Sequence, residues 1–375
     1  MSRTLLVVAG EDSGDLHGAE LLRCLKERDP DLRIIGVGGP RMTPYLDRKL
    51  AGVEDLAVVG FIEVIKHLPR LNRLFDAILA AAQEEAIDGA LLIDYPGFNL
   101  RLAKALRKRM PGVGLHQYVC PQVWAWKKGR IPVLGRTLDT LYCLFDFEPA
   151  LFRGLPVDAR FLGNPLVDLV VSECDRKAFF AATGLDPARP LVALLPGSRR
   201  GEIERLLPPM AQLVRDWQIA RPEVQWVLPV APTLEAAFVA SHLGGAPVKL
   251  VEGLTYAARA HADAALVASG TATLETALLG TPFGIVYRLQ ALTYLLARWL
   301  VSVPHFGLAN VVAGREVAPE LLQGEVTPAR LGTLLTRLLD PAEAPKLRAG
   351  LGEVRGRLGA PGAADRVAED LLGRI

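Results

Sequence analysis

Apolar runs of about five residues, each closed by glycine, proline or a polar residue, recur along most of the chain. Leu5–Ala9, Leu32–Val37, Gly89–Ile93, Gly114–Val119 and Thr140–Leu144 read as strands of the first half. Leu191–Leu195, Gln225–Val230, Val248–Leu250, Ala264–Ala268 and Phe283–Tyr287 read as strands of the second. These runs are nearly continuous rather than alternating, and helical patterns separate them, as a parallel sheet covered on both faces requires. The pattern occurs twice. The predicted fold is therefore α/β, with two Rossmann-like doubly wound domains whose ligands sit beyond the carboxyl ends of strands.

The strand rhythm breaks between Gly163-Asn164-Pro165 and Asp186-Pro187-Ala188-Arg189-Pro190. The expected division is a first domain over 1–165, a second over 166–340, and a charged helical tail over 341–375 that returns to the first. Two amphipathic stretches, Val58 to Leu79 and Leu292 to Val301, suit a membrane interface, an acyl-chain groove, or plain core and dimer packing.

Composition narrows the class. A chain of 375 residues, half of them hydrophobic, is long enough for two cores. Its net charge of +2 carries no polyanion-binding signature, so nucleic acid is not an expected partner. Cys24, Cys120, Cys143 and Cys174 form no C-x-x-C pair, which argues against a disulfide framework or structural zinc and for a reduced, cytoplasmic setting. The histidines show no metal-ligand spacing, and no metal or cofactor is expected. The first apolar run ends at Gly10, too short for a signal peptide, and nothing approaches the ~18 apolar residues of a spanning helix.

Candidate chemistry lies just after predicted strands. Ala264–Ala268 leads into Ser269-Gly270-Thr271-Ala272-Thr273-Leu274-Glu275, a turn of small residues opening a helix. Such a turn points backbone N–H groups at one place, a seat for phosphate or pyrophosphate, and Glu275 is a carboxylate able to accept from a ribose diol. Pro196-Gly197-Ser198-Arg199 opens the same domain, where Ser198 can donate and Arg199 can neutralise a diphosphate, unless it merely pairs with Glu202. Asn310 is a lone polar residue in an apolar segment and needs partners, of which a ligand is one.

In the first domain, Gly10-Glu11-Asp12-Ser13-Gly14-Asp15 forms a strand-to-helix turn that reaches a polar ligand or only caps a helix. It is not a dinucleotide fingerprint. Asp94 closes an apolar strand, where burial raises a carboxyl pKa and suits it to general-base work, although a turn cap is the plainer reading; Asn99 reads as the cap of a helix from Leu100. The loop holding Trp124 and Trp126 suits a sugar-stacking surface or core packing equally.

The ordered set resembles the lipid-A-disaccharide synthase family. It comprises Ala9–Asp15, Gly39-Pro40-Arg41-Met42, Ile93–Asn99, Pro121–Trp126, Leu194–Arg199, Ala268–Glu275 and Asn310–Glu316. That resemblance implies two domains facing a cleft (the GT-B arrangement), with the C-terminal helix crossing back to the first domain. It implies inverting, metal-independent transfer of 2,3-diacylglucosamine from its UDP derivative to the 6-hydroxyl of 2,3-diacylglucosamine 1-phosphate. It further implies a peripheral position on the inner face of the cytoplasmic membrane and a homodimer exchanging C-terminal segments. By position it implies Asp94 as base and Arg199 as the essential arginine. Ser198, Ser269, Gly270, Thr271, Ala272, Thr273, Glu275 and Asn310 fall on the UDP-sugar side, and Glu11, Ser13, Gly14 and Trp124 on the acceptor side. Asp12 and Asn164-Pro165 depart from the family's usual residues. A UDP-sugar epimerase of the same fold, or a silent UDP-sugar and lipid carrier, is the alternative; the first needs further acid/base residues, and the second leaves Asp94 and Arg199 without work.

Overall fold

The structure, a computed structural model, describes residues 3–56, 61–289 and 304–375, with side chains described throughout these except at 61–68. The amphipathic stretch from Val58 is thus described in side-chain detail only from Pro69 onward, and Leu292–Val301 lies outside the described residues. Among the described residues, no helix is long and apolar enough to cross a membrane.

The chain forms two compact units, Met1–Pro165 with Gly359–Ile375, and Leu166–Leu358. The first unit is a seven-stranded parallel sheet of β1 (Thr4–Ala9), β2 (Arg33–Val37), β3 (Arg48–Ala51), β4 (Gly89–Ile93), β5 (Gly114–Tyr118), β6 (Thr140–Cys143) and β7 (Asp158–Phe161), in the order β3-β2-β1-β4-β5-β6-β7. β1 and β4 are buried at every position, which is why both read as uninterrupted apolar runs. The direction of winding reverses between them, with Val8 beside Leu92 and Ala9 beside Ile93. Both apolar faces are covered, one by the helix Asp12–Arg28 and the last helix, the other by Phe61–Glu84 and Pro96–Arg109. The Gly39–Met42 motif has a structural use here. Fully buried Asp15 accepts from the Arg41 and Met42 amides, each at 3.0 Å, pinning the loop after β2 to the first helix.

The second unit has six parallel strands, β8 (Leu191–Leu195), β9 (Gln225–Pro229), β10 (Lys249–Val251), β11 (Ala264–Ala268), β12 (Phe283–Tyr287) and β13 (Glu320–Leu322), in the order β10-β9-β8-β11-β12-β13. Its winding reverses between β8 and β11. The helix Arg200–Ala220 covers one face of this sheet through Ile203, Leu207, Met210, Val214 and Trp217.

The tail expected over 341–375 as one returning element is divided. The helix Ala344–Leu358 stays with the second unit, burying Leu347, Leu351, Val354 and Leu358, and its Arg357 Nη1 donates to the Val312 carbonyl at 2.9 Å. Gly359 then takes a positive φ of 88° and ends it. Only Ala363–Leu372 lies against Asp12–Arg28, through Val367, Ala368 and Leu371. Its polar edge is tied down by Arg28–Asp365 at 2.7 Å and by Asp370, which takes Tyr142 Oη at 2.9 Å and Arg160 Nη1 at 2.6 Å.

Trp124 is not a sugar platform. Its ring is buried edge-on against Phe145 and Phe147, and its Nε1 donates to Glu148 Oε1 at 3.0 Å. Glu148 Oε2 also accepts from the Leu144 and Phe145 amides, at 2.9 and 3.1 Å, so one sealed carboxylate latches the loops after β5 and β6 together. Cys120 and Cys143, far apart in sequence, meet beside it, with both sulfurs and a carboxylate oxygen within 4.8 Å of one another. Burial pushes Glu148 up to about 7 despite those donors. A carboxyl that binds its proton more tightly folded than unfolded stabilises the fold fully below the unfolded value near 4.5, and that contribution is lost as pH rises through about 7. Glu148→Gln turns an amide N–H₂ towards Trp124 Nε1–H and is expected to cost about 1–3 kcal/mol at pH 5. The deficit should narrow by pH 8, because only the wild type meets the cost of ionisation. Urea unfolding of both proteins at the two pH values checks this; an equal deficit at both contradicts it.

Candidate functional site

In the second unit a pocket of about 400 Å³ opens at the carboxyl ends of β8, β9, β10 and β11, on the side where the winding reverses. That is where an open α/β sheet leaves a crevice, and the volume suits a nucleotide-sized ligand. Two turns line it. After β11, Gly270 at φ 143° is the N-cap of the helix Thr271–Leu278. Thr271 and Ala272 line the pocket, and as first-turn residues their amides have no carbonyl ahead of them in the helix. Ser269 also lines the pocket, but its donors and those of fully buried Thr273 are already taken. Ser269 N donates to the Val286 carbonyl at 3.0 Å and its Oγ to the Phe306 carbonyl at 2.7 Å, while Thr273 is fully buried and donates from N and Oγ1 to the Gly270 carbonyl. The seat is therefore narrower than the motif suggested.

After β8, Gly197 at φ 118° brings the chain so close to Glu202 that a Cβ there would lie 2.1 Å from its Oε2. That carboxylate oxygen accepts from the Ser198 and Arg199 amides, at 2.9 and 3.2 Å. The backbone N–H groups of this turn thus hold an internal anion, and the Ser198 hydroxyl and Arg199 guanidinium are what it offers outward. Arg199 does pair with Glu202, at 3.4 Å, but its side chain is 84% exposed.

Glu275 lines the pocket and is held there by Arg259 Nη1, a residue the sequence did not single out. Tyr256 and Thr255, at the start of the short helix that follows β10, complete that wall, and nothing local in the sequence marks them. Asn310 has to be reassigned. It is fully buried and all its partners are internal: Nδ2 donates to the Ala318 carbonyl and Glu320 Oε1, both at 2.7 Å, and Oδ1 accepts from the Val317 and Ala318 amides. It organises the turn before β13, and does not line the pocket.

In the first unit, the reversal point between β1 and β4 brings together residues distant in sequence. Ser13 Oγ lies 3.4 Å from Asp94 Oδ2, with Glu11 the exposed N-cap of the first helix and Gly14 buried against Ala9 and Ile93. Asp94 is half-buried, and desolvation raises its carboxyl above the usual range against hydrogen bonds from the Tyr95 amide and Ser13. Asp94 and Tyr95 both hold positive φ, 48° and 44°, an unfavourable conformation for two successive side-chain-bearing residues. It persists because Asp94 is over-determined. Its amide donates to the Tyr118 carbonyl at 2.9 Å, and its carbonyl accepts from Asn99 Nδ2 at 2.9 Å and Gln117 Nε2 at 3.1 Å. Asn99 is thus no cap for a helix from Leu100. The helix begins at Pro96, and buried Asn99 reaches back to the ends of β1 and β4 through the Val8 and Ile93 carbonyls. Of the two tryptophans in the loop after β5, Trp126 and not Trp124 is the exposed one, 46% accessible with Lys127 Nζ 4.2 Å from its ring centroid.

Solved structures of similar fold include the UDP-GlcNAc 2-epimerase from Neisseria meningitidis bound to UDP-GlcNAc. Its TM-score is 0.65 at 12% identity, covering 99% of this chain and 100% of that one. The glycotransferase of kitacinnamycin gives 0.63 at 16% identity, covering 99% of each chain. At such identities they show the fold, two Rossmann-like domains shared by epimerases and glycosyltransferases, and nothing finer. Sequence relatives go further. The lipid-A-disaccharide synthase of Myxococcus xanthus is 43% identical over 371 residues, 98% of this chain and 96% of that protein. That of Geobacter sulfurreducens is 40% identical over 374 residues, 99% and 97% of the two. Residues 5–348 match the family described as lipid-A-disaccharide synthetase. The chain therefore belongs to the lipid-A-disaccharide synthase family, glycosyltransferases of lipid A biosynthesis.

Proposed function

We propose that the protein moves 2,3-diacylglucosamine from its UDP derivative to the 6-hydroxyl of 2,3-diacylglucosamine 1-phosphate, giving the β-1′,6-linked disaccharide and UDP. The observation that carries this reading is the second unit's pocket, where a helix N-terminus, an exposed arginine and a carboxylate surround a nucleotide-sized space at one reversal point. Arg199, Ser198 and the Thr271 and Ala272 amides take the diphosphate, and Glu275 takes the ribose. Asp94 removes the acceptor proton as the bond to C1 forms, a role for which a carboxyl raised by burial is better suited than an ordinary one. The transition state is oxocarbenium-like, so charge gathers on the departing diphosphate, where fixed donors act most strongly.

Glu11 and Ser13 stand beside this base on the acceptor side. The acyl chains of both substrates put the reaction at the inner face of the cytoplasmic membrane, with the protein peripheral there. A homodimer that exchanges the segment from Gly359 would reuse contacts this segment makes within its own chain.

The deciding assay supplies both lipid-linked sugars and follows disaccharide and UDP together. Release of UDP that requires the acceptor, in step with disaccharide, is expected. Conversion of the donor sugar without acceptor would instead establish the epimerase reading, and binding without turnover the carrier.

A further inference from the structure

Arg259 is nearly withdrawn from solvent, 6% exposed, on the short helix Thr255–Ala260 beside β10. Its Nη1 donates to Glu275 Oε2, and both residues line the pocket. The guanidinium lies 5.6 Å from the Tyr256 ring centroid. Its Nε is buried and has no hydrogen-bond partner among the described residues. Folded proteins rarely leave a buried N–H of a charged group unpaired, because water has been given up and nothing has replaced it. Burying the cation at all is costly unless its geometry serves something.

The pair combines opposite capacities. A carboxylate only accepts hydrogen bonds and a guanidinium only donates them, whereas a hydroxyl does both. A hydroxyl donating to Glu275 while accepting from Arg259 satisfies both, and no ether or bare carbon can replace it. With the diphosphate at the turns after β8 and β11, the part of a nucleotide that offers adjacent hydroxyls is its ribose.

We infer that Arg259 is a positioning and specificity residue: it fixes the Glu275 carboxylate in place, donates through Nε to a ribose hydroxyl, and so makes the pocket select nucleotides that carry an intact 2′,3′-diol. This rests on the reading of the pocket as the UDP site.

The test is calorimetric titration of the full-length protein with UDP and with 2′,3′-dideoxy-UDP. The wild type should prefer UDP by about tenfold to a hundredfold, the effect of losing hydrogen bonds to charged groups. Arg259→Lys keeps the cation but loses the planar fork. It should weaken UDP by about tenfold and leave dideoxy-UDP almost unchanged, so that the preference collapses; a purely structural arginine would weaken both alike. If Arg259→Lys does not fold, a crystal structure of the wild type with UDP decides the matter, with Nε expected about 3 Å from a ribose oxygen. UDP binding with no diol preference, a preference retained in Arg259→Lys, or a ribose turned away from Nε overturns the inference and leaves the UDP site standing. No UDP binding at all overturns both.

Discussion

Asp94→Asn is expected to fold with wild-type thermal stability and to turn over about 10²–10⁴ times more slowly, the range a positioned general base supplies. The fold should survive because what fixes this residue is its backbone: the amide bond to Tyr118 and the carbonyl bonds from Asn99 and Gln117 are all retained by asparagine. Only the side-chain oxygen near Ser13 changes character. The pH profile gives a second, independent reading. Asp94 has to be ionised to accept a proton, and desolvation raises its pKa above the ordinary carboxylate value. Wild-type kcat should therefore fall as pH drops through that raised value, and the acidic limb should be missing from whatever activity Asp94→Asn retains. Near-wild-type turnover with an unchanged melting profile would remove Asp94 as the base; a large loss of stability would make it a structural residue instead.

How far the residues alone could be read depended on whether a feature was local. β1, β4, β8 and β11 are buried at nearly every position, so each announces itself as an apolar run with its chemistry placed immediately after it. β3, β7 and β13, with sequences RKLA, DARF and ELL, were invisible for the converse reason: they are short edge strands, partly exposed, and look like polar linkers. The same division runs through the site. The turns at Gly197 and Gly270 could be recognised from spacing because their conformation is set within a few residues. That Trp124 finds Glu148, that Asn310 is consumed by Val317, Ala318 and Glu320, and that Glu275 is held by Arg259 depends on tertiary pairing, which spacing does not encode. Asn99 illustrates the cost. A polar residue at a helix start reads as a cap, yet here it spans to two strands and keeps the Asp94 backbone in its strained conformation. Family likeness points to these loops, but does not say which side chains in them face outward.

Arg199→Ala is expected to lower kcat/KM by about 2–4 kcal/mol, with the loss falling mainly on kcat. The guanidinium is solvent-exposed and its ion pair with Glu202 is of the exposed kind that contributes little to stability, so the variant should melt with the wild type. Nor should the turn collapse. Glu202 Oε2 is held by the Ser198 and Arg199 backbone amides, and alanine at 199 keeps both bonds. Gly197 and the helix behind it are likewise untouched. In the role proposed for Arg199, what is lost is a cation beside a diphosphate whose charge grows as the bond to C1 breaks, an interaction stronger in the transition state than with the intact donor. For the same reason UDP affinity should suffer more than donor affinity, since the free diphosphate carries the additional charge. Arg199→Lys should recover only part of the rate, because a lysine cannot reproduce the two parallel N–H bonds of the guanidinium. Steady-state kinetics on all three proteins, with UDP inhibition constants measured alongside, settles the assignment: an unchanged kcat/KM in the alanine variant, or a loss carried entirely by KM, would move leaving-group stabilisation away from Arg199 and onto the Thr271 and Ala272 amides.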